Sequence, residues 1–321
     1  MYFQILDIRD VVFRNIPTWA QDGVMAASPY RDDQGWHVVG RGFTAAEPVT
    51  FSHLFLADGT DPLEFTIRSE PLLSPGPPGC MDELGVEDPT VIGRPHFGRG
   101  VLYSQVRRKP PGETPSSEAL GVYVSLGHLF QLEQRDDRWA APEYHTPDTV
   151  LEPTEQRWWE RPLDMCKEGE ILLRKGEKND VLFYEFADGE RSRIAAAETG
   201  LGALGRILTW NSRLWLDRRP GMWDSDHVST GPIVRLRDKR LMFYNGRSGE
   251  RIWSIGEVIF DPATLAIEYR SEEPIIVPPK EIGWKNQYIA FSSGALVDGD
   301  TIYLYHHIAD RRIRCAVGTL K

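Results

Sequence analysis

The most informative stretch of this chain is Gly85-Val86-Glu87-Asp88-Pro89-Thr90-Val91. It places two adjacent carboxylates directly before a proline and two β-branched residues. Because proline fixes φ and donates no hydrogen bond to a sheet, this pattern predicts the entrance of a strand, where polar side chains face an open mouth. A solvated acidic turn before an edge strand gives the same pattern, so the rest of the chain has to distinguish the two.

A common theme recurs along the chain, in which an apolar approach leads to a polar residue near a turn and then to alternating strands joined by hairpins. The copies start near Val24, Val86, Cys166, Trp223 and Ser292. Four strands at a period of roughly 40 to 60 residues are typical of a β-propeller. The last copy is one strand short, and the segment 1–13 has the strand pattern needed to complete it and to remove an open edge.

We therefore predict an all-β fold with a single catalytic domain over residues 1–321, built as a five-bladed β-propeller whose last blade is closed by the N-terminal strand. A pair of β-sandwiches is the alternative. In the middle of the chain we expect strands at 121–126, 129–133 and 193–198, the last followed by a loop leading towards Trp215. Helix-like windows are short and lie near 154–159 and 195–204.

Composition excludes several partners. Lys and Arg number 37 against 47 Asp and Glu, and no basic tract accompanies the aromatic residues, so we expect no nucleic-acid partner. No apolar run approaches the ~18 residues of a membrane span, and the N-terminus lacks a signal-peptide pattern, so we expect a cytoplasmic protein without a membrane partner. The oligomeric state is left open, with a homo-oligomer as one option.

Metal and disulfide chemistry find little support. The three cysteines show no Cys-x-x-Cys spacing, and the histidines form no zinc-type pattern. We therefore expect no disulfide framework and no cofactor, and we assign no metal-binding residue. A divalent ion held by channel carboxylates and amide oxygens, which suit calcium, stays an open alternative, although no loop has a calcium-binding spacing.

Polar residues recur at the predicted strand entrances. In a propeller these entrances converge on a central channel, so the residues should face one another: Arg41, Glu87 with Asp88, Lys167 with Glu168, Trp223 with Asp224 and His227, and Asp310. Carboxylates from different blades can flank a glycosidic bond, one protonating the leaving oxygen and another activating water or holding the sugar. An exposed Lys-Glu ion pair and a capping aspartate in a turn are the simpler alternatives.

Four anchors in this sequence resemble glycoside hydrolase family 130, the family of β-mannoside phosphorylases and β-mannosidases. They are Gly85 to Pro89, similar to its Glu-Asp-Pro-Arg motif; Trp223-Asp224 through Gly231-Pro232, similar to its Trp-Asp and Gly-Pro-Pro; Leu241 to Gly246, similar to its Tyr-His-Gly strand; and Phe291 to Ala295 with Tyr303 to Asp310, similar to its closing segments. Their order and rough spacing hold over nearly the whole chain.

The resemblance implies that Asp88 is the catalytic acid, acting directly or through a sugar hydroxyl, and that Arg41, Asp224 and Asp310 help to hold the sugar. The chain departs from the family at Thr90, which replaces an arginine, and at Asn245, which replaces a histidine. Lys167-Glu168 stands where a Lys-Asp pair is usual. Since phosphate binding needs several cations, the two losses favour hydrolysis over phosphorolysis.

The third copy also resembles the furanosidase and xylosidase propellers of families 43, 32 and 117. Cys166 to Ile171 is similar to their Glu-Gly-Pro segment, which implies that Glu168 is the acid and that Asp88 tunes its pKa. Their base comes from an Asp-Pro in the first blade, where this chain has Ala27-Ser28-Pro29. The base is therefore unassigned, with Glu168 preferred if Asp88 is the acid.

Our prediction is a glycoside hydrolase acting on an oligosaccharide or small glycoside, with Asp88 and Glu168 as catalytic residues. Inversion is implied by the family; a carboxyl separation of ~6.5 to 9.5 Å would support it and ~5 Å would count against it. The predicted sugar-binding residues are Arg41, Glu87, Lys167, Trp223, Asp224, His227, Tyr244, Asn245, Arg247, Trp284 and Asp310, the two tryptophans by stacking. The alternatives are a β-mannoside-type phosphorylase and a catalytically silent carbohydrate-binding propeller.

Overall fold

The computed structural model describes residues 2–46, 49–94, 98–108, 122–135, 138–140, 148–151, 165–174, 179–188, 191–201, 207–283 and 286–321. Within these ranges the chain is all-β, as predicted, apart from the short 3₁₀ helix η1 (Thr18–Ala20). None of the helical structure in the described ranges is long and apolar enough to cross a membrane.

The strands follow one another along the chain in two parts. The first part contains β1 (Phe3–Asp10), β2 (Val12–Arg14), β3 (Gly23–Asp32), β4 (Gly35–Ala46), β5 (Val49–Gly59), β6 (Glu64–Ile67), β7 (Gly85–Arg94), β8 (Gly98–Arg108), β9 (Val122–Arg135), β10 (Arg138–Ala140) and β11 (Asp148–Leu151). The second part contains β12 (Cys166–Leu172), β13 (Asp180–Asp188), β14 (Arg191–Leu201), β15 (Ile207–Leu216), β16 (His227–Ser229), β17 (Ile233–Leu236), β18 (Lys239–Arg247), β19 (Ile252–Phe260), β20 (Ile267–Arg270), β21 (Tyr288–Asp298), β22 (Thr301–Ile308) and β23 (Arg312–Leu320).

Neighbours in sequence pair antiparallel, which matches the predicted repeat. The pairings run β3 to β6, β7 to β9 with β10 and β11, β12 to β15, β16 and β17 through β18 to β20, and β21 to β23. Short parallel contacts, Ser52 with Gly85 and Trp253 with Ile289, join some of these groups edge to edge. The groups have the strand order of propeller blades, whereas a closed ring of five blades stays a prediction.

The N-terminal strand joins the C-terminal one. β1 pairs antiparallel with β23 from Phe3 opposite Leu320 to Asp10 opposite Arg314. Phe3 also anchors the strand, since its ring packs edge-on against Phe243 at 5.1 Å and its backbone N–H donates to the Glu257 carboxylate at 3.1 Å. β1 therefore adds a fourth strand to the group β21 to β23.

The core lies between neighbouring groups of strands, because alternate side chains of each strand point to opposite faces. One apolar cluster joins Leu241 and Phe243 of β18 to Ile302 and Leu304 of β22. The opposite face of β18 belongs to a second cluster, shared with β13 and β14. Each fully buried Leu or Phe contributes about 1.5–3 kcal/mol, so these faces hold the groups together.

Three local predictions were wrong. The two strands expected at 121–126 and 129–133 are one strand, β9, whose pairing with β8 runs on through Gly127. The strand predicted at 193–198 is confirmed as part of β14, so the helix-like window at 195–204 begins within a strand. The expected loop towards Trp215 is β15, which pairs with β14. In both regions hydrogen bonding to a neighbouring strand outweighs the weak strand propensity of Gly and Ala. The window at 154–159 lies outside the described residues.

The first strands of several groups share one irregularity. The pairing of β3 with β4 skips between Met25 and Ser28, that of β7 with β8 between Glu87 and Thr90, and that of β12 with β13 between Lys167 and Glu170. Such β-bulges bend a strand and re-aim its side chains. In each bulge one residue has a left-handed backbone, with φ of 52° at Ala26, 49° at Asp88 and 51° at Glu168.

Candidate active site

Asp88 and Glu168 lie in equivalent bulges of β7 and β12, two strands that are in contact. A left-handed backbone costs a non-glycine residue of order 1–3 kcal/mol and is concentrated at functional sites. The bulges bring the two side chains together, and the Glu168 carboxyl donates a hydrogen bond to the Asp88 carboxylate. We call these two residues the carboxyl pair.

The carboxyl pair holds one proton. Burial, followed by the negative charge of Asp88, raises the pKa of Glu168 well above its usual value. Burial works in the same direction on Asp88, but the positive charges of Arg41 and Lys167 and the hydrogen bond from Glu168 lower the pKa of Asp88 overall. Two carboxyls in contact titrate as a unit, and here the proton rests on Glu168.

Two cations face the pair. Arg41 on β4 contacts two carboxylates: its Nη2 lies 2.5 Å from Glu87 Oε1, and its Nη1 lies 3.4 Å from Asp88 Oδ1. Lys167 Nζ lies 3.8 Å from Glu168 Oε1. Burial lowers the pKa of Lys167, yet the surrounding carboxylates, Glu185 first, raise it overall.

Asp310 belongs to the same site because its charge contributes to raising the pKa of Arg41. The structure thus brings together six of the predicted site residues: Arg41, Glu87, Asp88, Lys167, Glu168 and Asp310.

Two further site residues were missed in the sequence. Glu185 on β13 pairs with Lys167, is 2% exposed, and has a pKa that burial raises. The sequence feature that could have identified Glu185 is its position as the one charged residue within the apolar run Leu182 to Phe186.

His307 on β22 is the second. Its Nδ1 lies 3.4 Å from the Ala26 backbone nitrogen, and its Nε2 lies 3.2 Å from Asp310 Oδ1. Its sequence neighbour, His306, is 1% exposed, and burial lowers the pKa of that histidine to about 4. Adjacent residues of a strand alternate between faces, so at most one of these two histidines can face the site, and the contacts identify it as His307.

His227 and Arg247 form a second polar group beside this site. Ser192 donates through its backbone N–H to His227 Nδ1 at 3.1 Å, and Arg247 Nε donates to Asp226 Oδ2 at 3.0 Å. Burial, followed by the charge of Arg247, lowers the pKa of His227 to about 3, so the ring is neutral. Lys167 also acts on this histidine, which places the group next to the carboxyl pair.

Asp224 and Tyr244 have a different environment from the one predicted. The Asp224 side chain is fully buried and accepts hydrogen bonds from Arg219, from Arg270 and from the Tyr244 hydroxyl, the last at 2.7 Å. Trp223 covers Gly246 and Gly256, where a Cβ would collide with its ring. These contacts belong to the packing of the 217–226 segment, so the geometry does not support the predicted sugar contacts of these three residues.

Asn245 is also committed to the fold. Its side-chain Nδ2 donates to the backbone carbonyls of Thr230 and Ser292, and its Oδ1 accepts from the Ser292 N–H at 2.7 Å. The residue therefore links β18 to β21 and has no hydrogen-bonding group left for a sugar. Trp284, the other predicted stacking residue, lies outside the described residues.

Across the ranges that the structure describes, no three His, Cys, Asp or Glu side chains are grouped so that they could hold a metal ion. What the site offers is a protonated carboxyl, an adjacent carboxylate and two cations, an arrangement suited to proton transfer onto a leaving oxygen.

Comparison with known proteins relates the chain to mannoside-active enzymes. It is 30% identical over 121 residues to a 1,2-β-oligomannan phosphorylase of Thermoanaerobacter sp., covering 33% of this chain and 40% of the relative. It is 30% identical over 152 residues to a β-1,2-mannobiose phosphorylase of Listeria innocua serovar 6a, covering 42% of each chain. These matches span about two fifths of the curated relatives. No family model matches the sequence.

Solved structures extend the similarity to nearly the whole chain. A β-1,2-mannobiose phosphorylase from Listeria innocua, in complex with β-1,2-mannobiose, superposes with a TM-score of 0.69 at 15% identity, over 98% of this chain and 97% of that one. Another solved structure comes from the GH130 family of mannoside phosphorylases, which is described as containing glycoside hydrolases that target β-1,2 mannosidic linkages in Candida mannan. It superposes with a TM-score of 0.66 at 18% identity, over 93% of this chain and 85% of that one. The chain has a glycoside hydrolase family 130-like fold.

Proposed function

We propose that this chain is a β-mannoside phosphorylase. The proton of the carboxyl pair passes to the glycosidic oxygen while inorganic phosphate attacks the anomeric carbon. The bond between the anomeric carbon and the leaving oxygen breaks, a bond to a phosphate oxygen forms, and the products are a sugar phosphate and a shortened glycoside. The direct hydrogen bond between Glu168 and Asp88 is the observation that carries this proposal.

The carboxyl pair is too close for the hydrolase that we favoured from the sequence. An inverting hydrolase keeps its acid and base ~6.5 to 9.5 Å apart so that a water fits between them and the sugar, and a retaining enzyme keeps them ~5 Å apart. Two carboxyls joined by a direct hydrogen bond leave no room between them for such a water, which counts against inverting hydrolysis. A phosphorylase needs one acid and a bound phosphate, which agrees with one shared proton.

Phosphate binding is supported by Arg41 and Lys167. A phosphate dianion pairs best with several charge-assisted donors, and these two cations lie beside the carboxyl pair. Burial raises the pKa of Glu87, Glu168 and Glu185, which reduces the negative charge that a phosphate would meet. The missing cation at Asn245 bears little on this site, because that side chain is bound to backbone groups.

Hydrolysis is the second candidate. The ionised Asp88 next to the protonated Glu168 offers a base and an acid in one site, provided that substrate binding separates them. The similarity to the GH130 structure whose family includes hydrolases is in line with this candidate.

The proposed enzyme is a single domain over residues 1–321 with five blades, and the antiparallel groups of strands and the pairing of β1 with β23 support this arrangement. An oligosaccharide is the proposed substrate, since the relatives are named for mannobiose and oligomannan. A cytoplasmic location stays a prediction.

The test is to incubate the purified chain with β-1,2-mannobiose, with and without inorganic phosphate. We expect mannose 1-phosphate and mannose only when phosphate is present. Equal release of free mannose without phosphate would establish hydrolysis, and binding without cleavage would identify a silent carbohydrate-binding protein. Glu64→Gln serves as the control variant, because Glu64 pairs with Arg14 on the exposed surface and should leave the activity unchanged.

A further inference from the structure

A row of aromatic rings leads away from the carboxyl pair. His307, whose Nε2 lies 3.2 Å from Asp310 Oδ1 in the site, stacks on Phe291 at 5.3 Å with an interplanar angle of 19°. Phe291 meets Trp253 edge to face at 5.4 Å, and Trp253 lies 5.7 Å from His227. These four residues, which we call the ring row, connect the carboxyl pair to the Arg247–Asp226 ion pair.

Trp253 is the member of the ring row that offers the most surface. Phe291 is 8% exposed, His307 5% and His227 4%, whereas Trp253 is partly exposed. A planar side chain that is open on part of its surface and held by its neighbours can receive a flat ligand at little entropic cost.

The orientation of the Trp253 indole is set by its neighbours. Its Nε1 donates to Gln287 Oε1 at 2.8 Å, which uses its only hydrogen-bond donor. The guanidinium of Arg247 lies over the ring at 5.8 Å from the centroid. What remains for a ligand is the exposed part of the ring that these neighbours do not cover, next to the Arg247–Asp226 ion pair.

Strand pairing places this ring at the same end of the sheet as the site. Trp253 lies opposite Arg247, and Arg247 lies opposite His227 at the entrance of β16. Cross-strand partners present their side chains on one face, so His227, Arg247 and Trp253 form a continuous patch.

We propose that Trp253 is the platform of a third sugar subsite, beyond the two that flank the scissile bond, with Arg247 and Asp226 as its hydrogen-bonding rim, so that the substrate is an oligosaccharide longer than a disaccharide. Sugars present apolar C–H surfaces and peripheral hydroxyls, which suit an aromatic face bordered by one donor and one acceptor. This proposal rests on the proposed function, because the two subsites that flank the scissile bond are the ones at the carboxyl pair.

The test compares β-1,2-linked mannobiose and mannotriose as substrates. In Trp253→Ala we expect kcat/KM for the trisaccharide to fall about tenfold more than for the disaccharide, which corresponds to the loss of one aromatic contact. Trp253→Phe should recover part of the difference, and it guards against a folding defect in the alanine variant. Equal losses on both substrates, or no loss, would overturn the proposal.

Trp210→Ala is the matched control. Trp210 is also partly exposed, at 37%, but lies on the edge strand β15, where its Nε1 bonds to Glu198. We expect no change in the ratio of the two kcat/KM values. If the wild-type chain cleaves neither sugar, the phosphorylase proposal fails, and calorimetry of mannotriose binding then tests the subsite alone: weaker binding by Trp253→Ala supports it, and equal binding overturns it.

Discussion

The Glu168 carboxyl donates a hydrogen bond to the Asp88 carboxylate, and both residues stand in equivalent β-bulges with φ of 51° and 49°. Neither is glycine, so the sequence holds a left-handed backbone where it costs free energy. The cost is understandable if the bulges serve to aim both carboxyls at one point. Because one carboxyl lies on β7 and the other on β12, the protonation state of the pair depends on the positions of both strands.

Replacing each member of the carboxyl pair should separate their roles. If Glu168 is the proton donor, Glu168→Gln lowers kcat at least ~100-fold. Wild-type activity should fall as the pH rises through the raised pKa of Glu168, because the acid then loses its proton. Asp88→Asn removes the charge that helps to raise this pKa, so the alkaline limb of any residual activity should move to lower pH.

The measurement is a pH profile of kcat for the wild-type chain and both variants. Loss of activity in Asp88→Asn with activity kept in Glu168→Gln would contradict this assignment and return the acid to Asp88, as the family resemblance implies.

Asp224 should be a stability residue. Its fully buried carboxylate meets Arg219 at 2.8 Å and Arg270 at 2.5 Å. Removing the charge leaves two guanidiniums without a counter-ion, so Asp224→Asn should lower the free energy of unfolding by about 3–5 kcal/mol, measured by urea denaturation. The control is Asp217→Asn, whose half-exposed side chain pairs with Arg193 at 2.9 Å and should cost under about 1 kcal/mol. Unchanged stability with a raised KM in Asp224→Asn would favour a sugar contact.

Gly231 should not tolerate a side chain. A Cβ at this position would collide with the carbonyl oxygen of Phe243 and with Ser292 Oγ, which themselves form a 2.7 Å hydrogen bond between β18 and β21. Gly231→Ala should therefore lower the melting temperature, with a loss of about 1–3 kcal/mol or more. Gly249→Ala is the matched control, because nothing lies within 4 Å of a Cβ there. Similar melting temperatures for the two variants would show that β18 and β21 can separate at little cost.

Glu170 should make stability depend on pH. Burial raises the pKa of Glu170 to about 8, although the Ile233 N–H donates to its carboxyl and lowers the value in part. The folded chain therefore keeps a proton that the unfolded chain releases from about pH 4.5 upwards. Stability from this group is present below about pH 4.5 and is lost as the pH rises to about 8, by at most about 1.4 kcal/mol per pH unit.

Glu170→Gln should remove this loss, so the variant gains stability over the wild-type chain between pH 5 and pH 8 in urea unfolding. Glu268→Gln, in which an exposed ion pair with Lys239 is altered, should leave the slope as it is. A pH-independent difference between Glu170→Gln and the wild-type chain would mean that the carboxyl is ionised in the fold.

The repeat was predictable because it is local. Alternation of apolar and polar residues marks most strands, and Glu87-Asp88-Pro89 marks a strand entrance, since proline cannot serve in a central ladder. β9 was predicted as two strands because Gly127 weakens the strand signal that pairing with β8 supplies. β15 was predicted as a loop, and its pairing with β14 is what makes it a strand.

By itself, then, the sequence determined the all-β repeat, the strand entrances and the presence of carboxylates and cations at them. Only the tertiary structure decided which side chains meet. Glu185 and His307 lie in the site, although no sequence motif marks them. Asp224 is buried with Arg219 and Arg270, and Glu168 is hydrogen-bonded to Asp88. The physical reason is that burial patterns depend on neighbours along one strand, whereas a shared proton depends on bulges and packing between strands far apart in the chain.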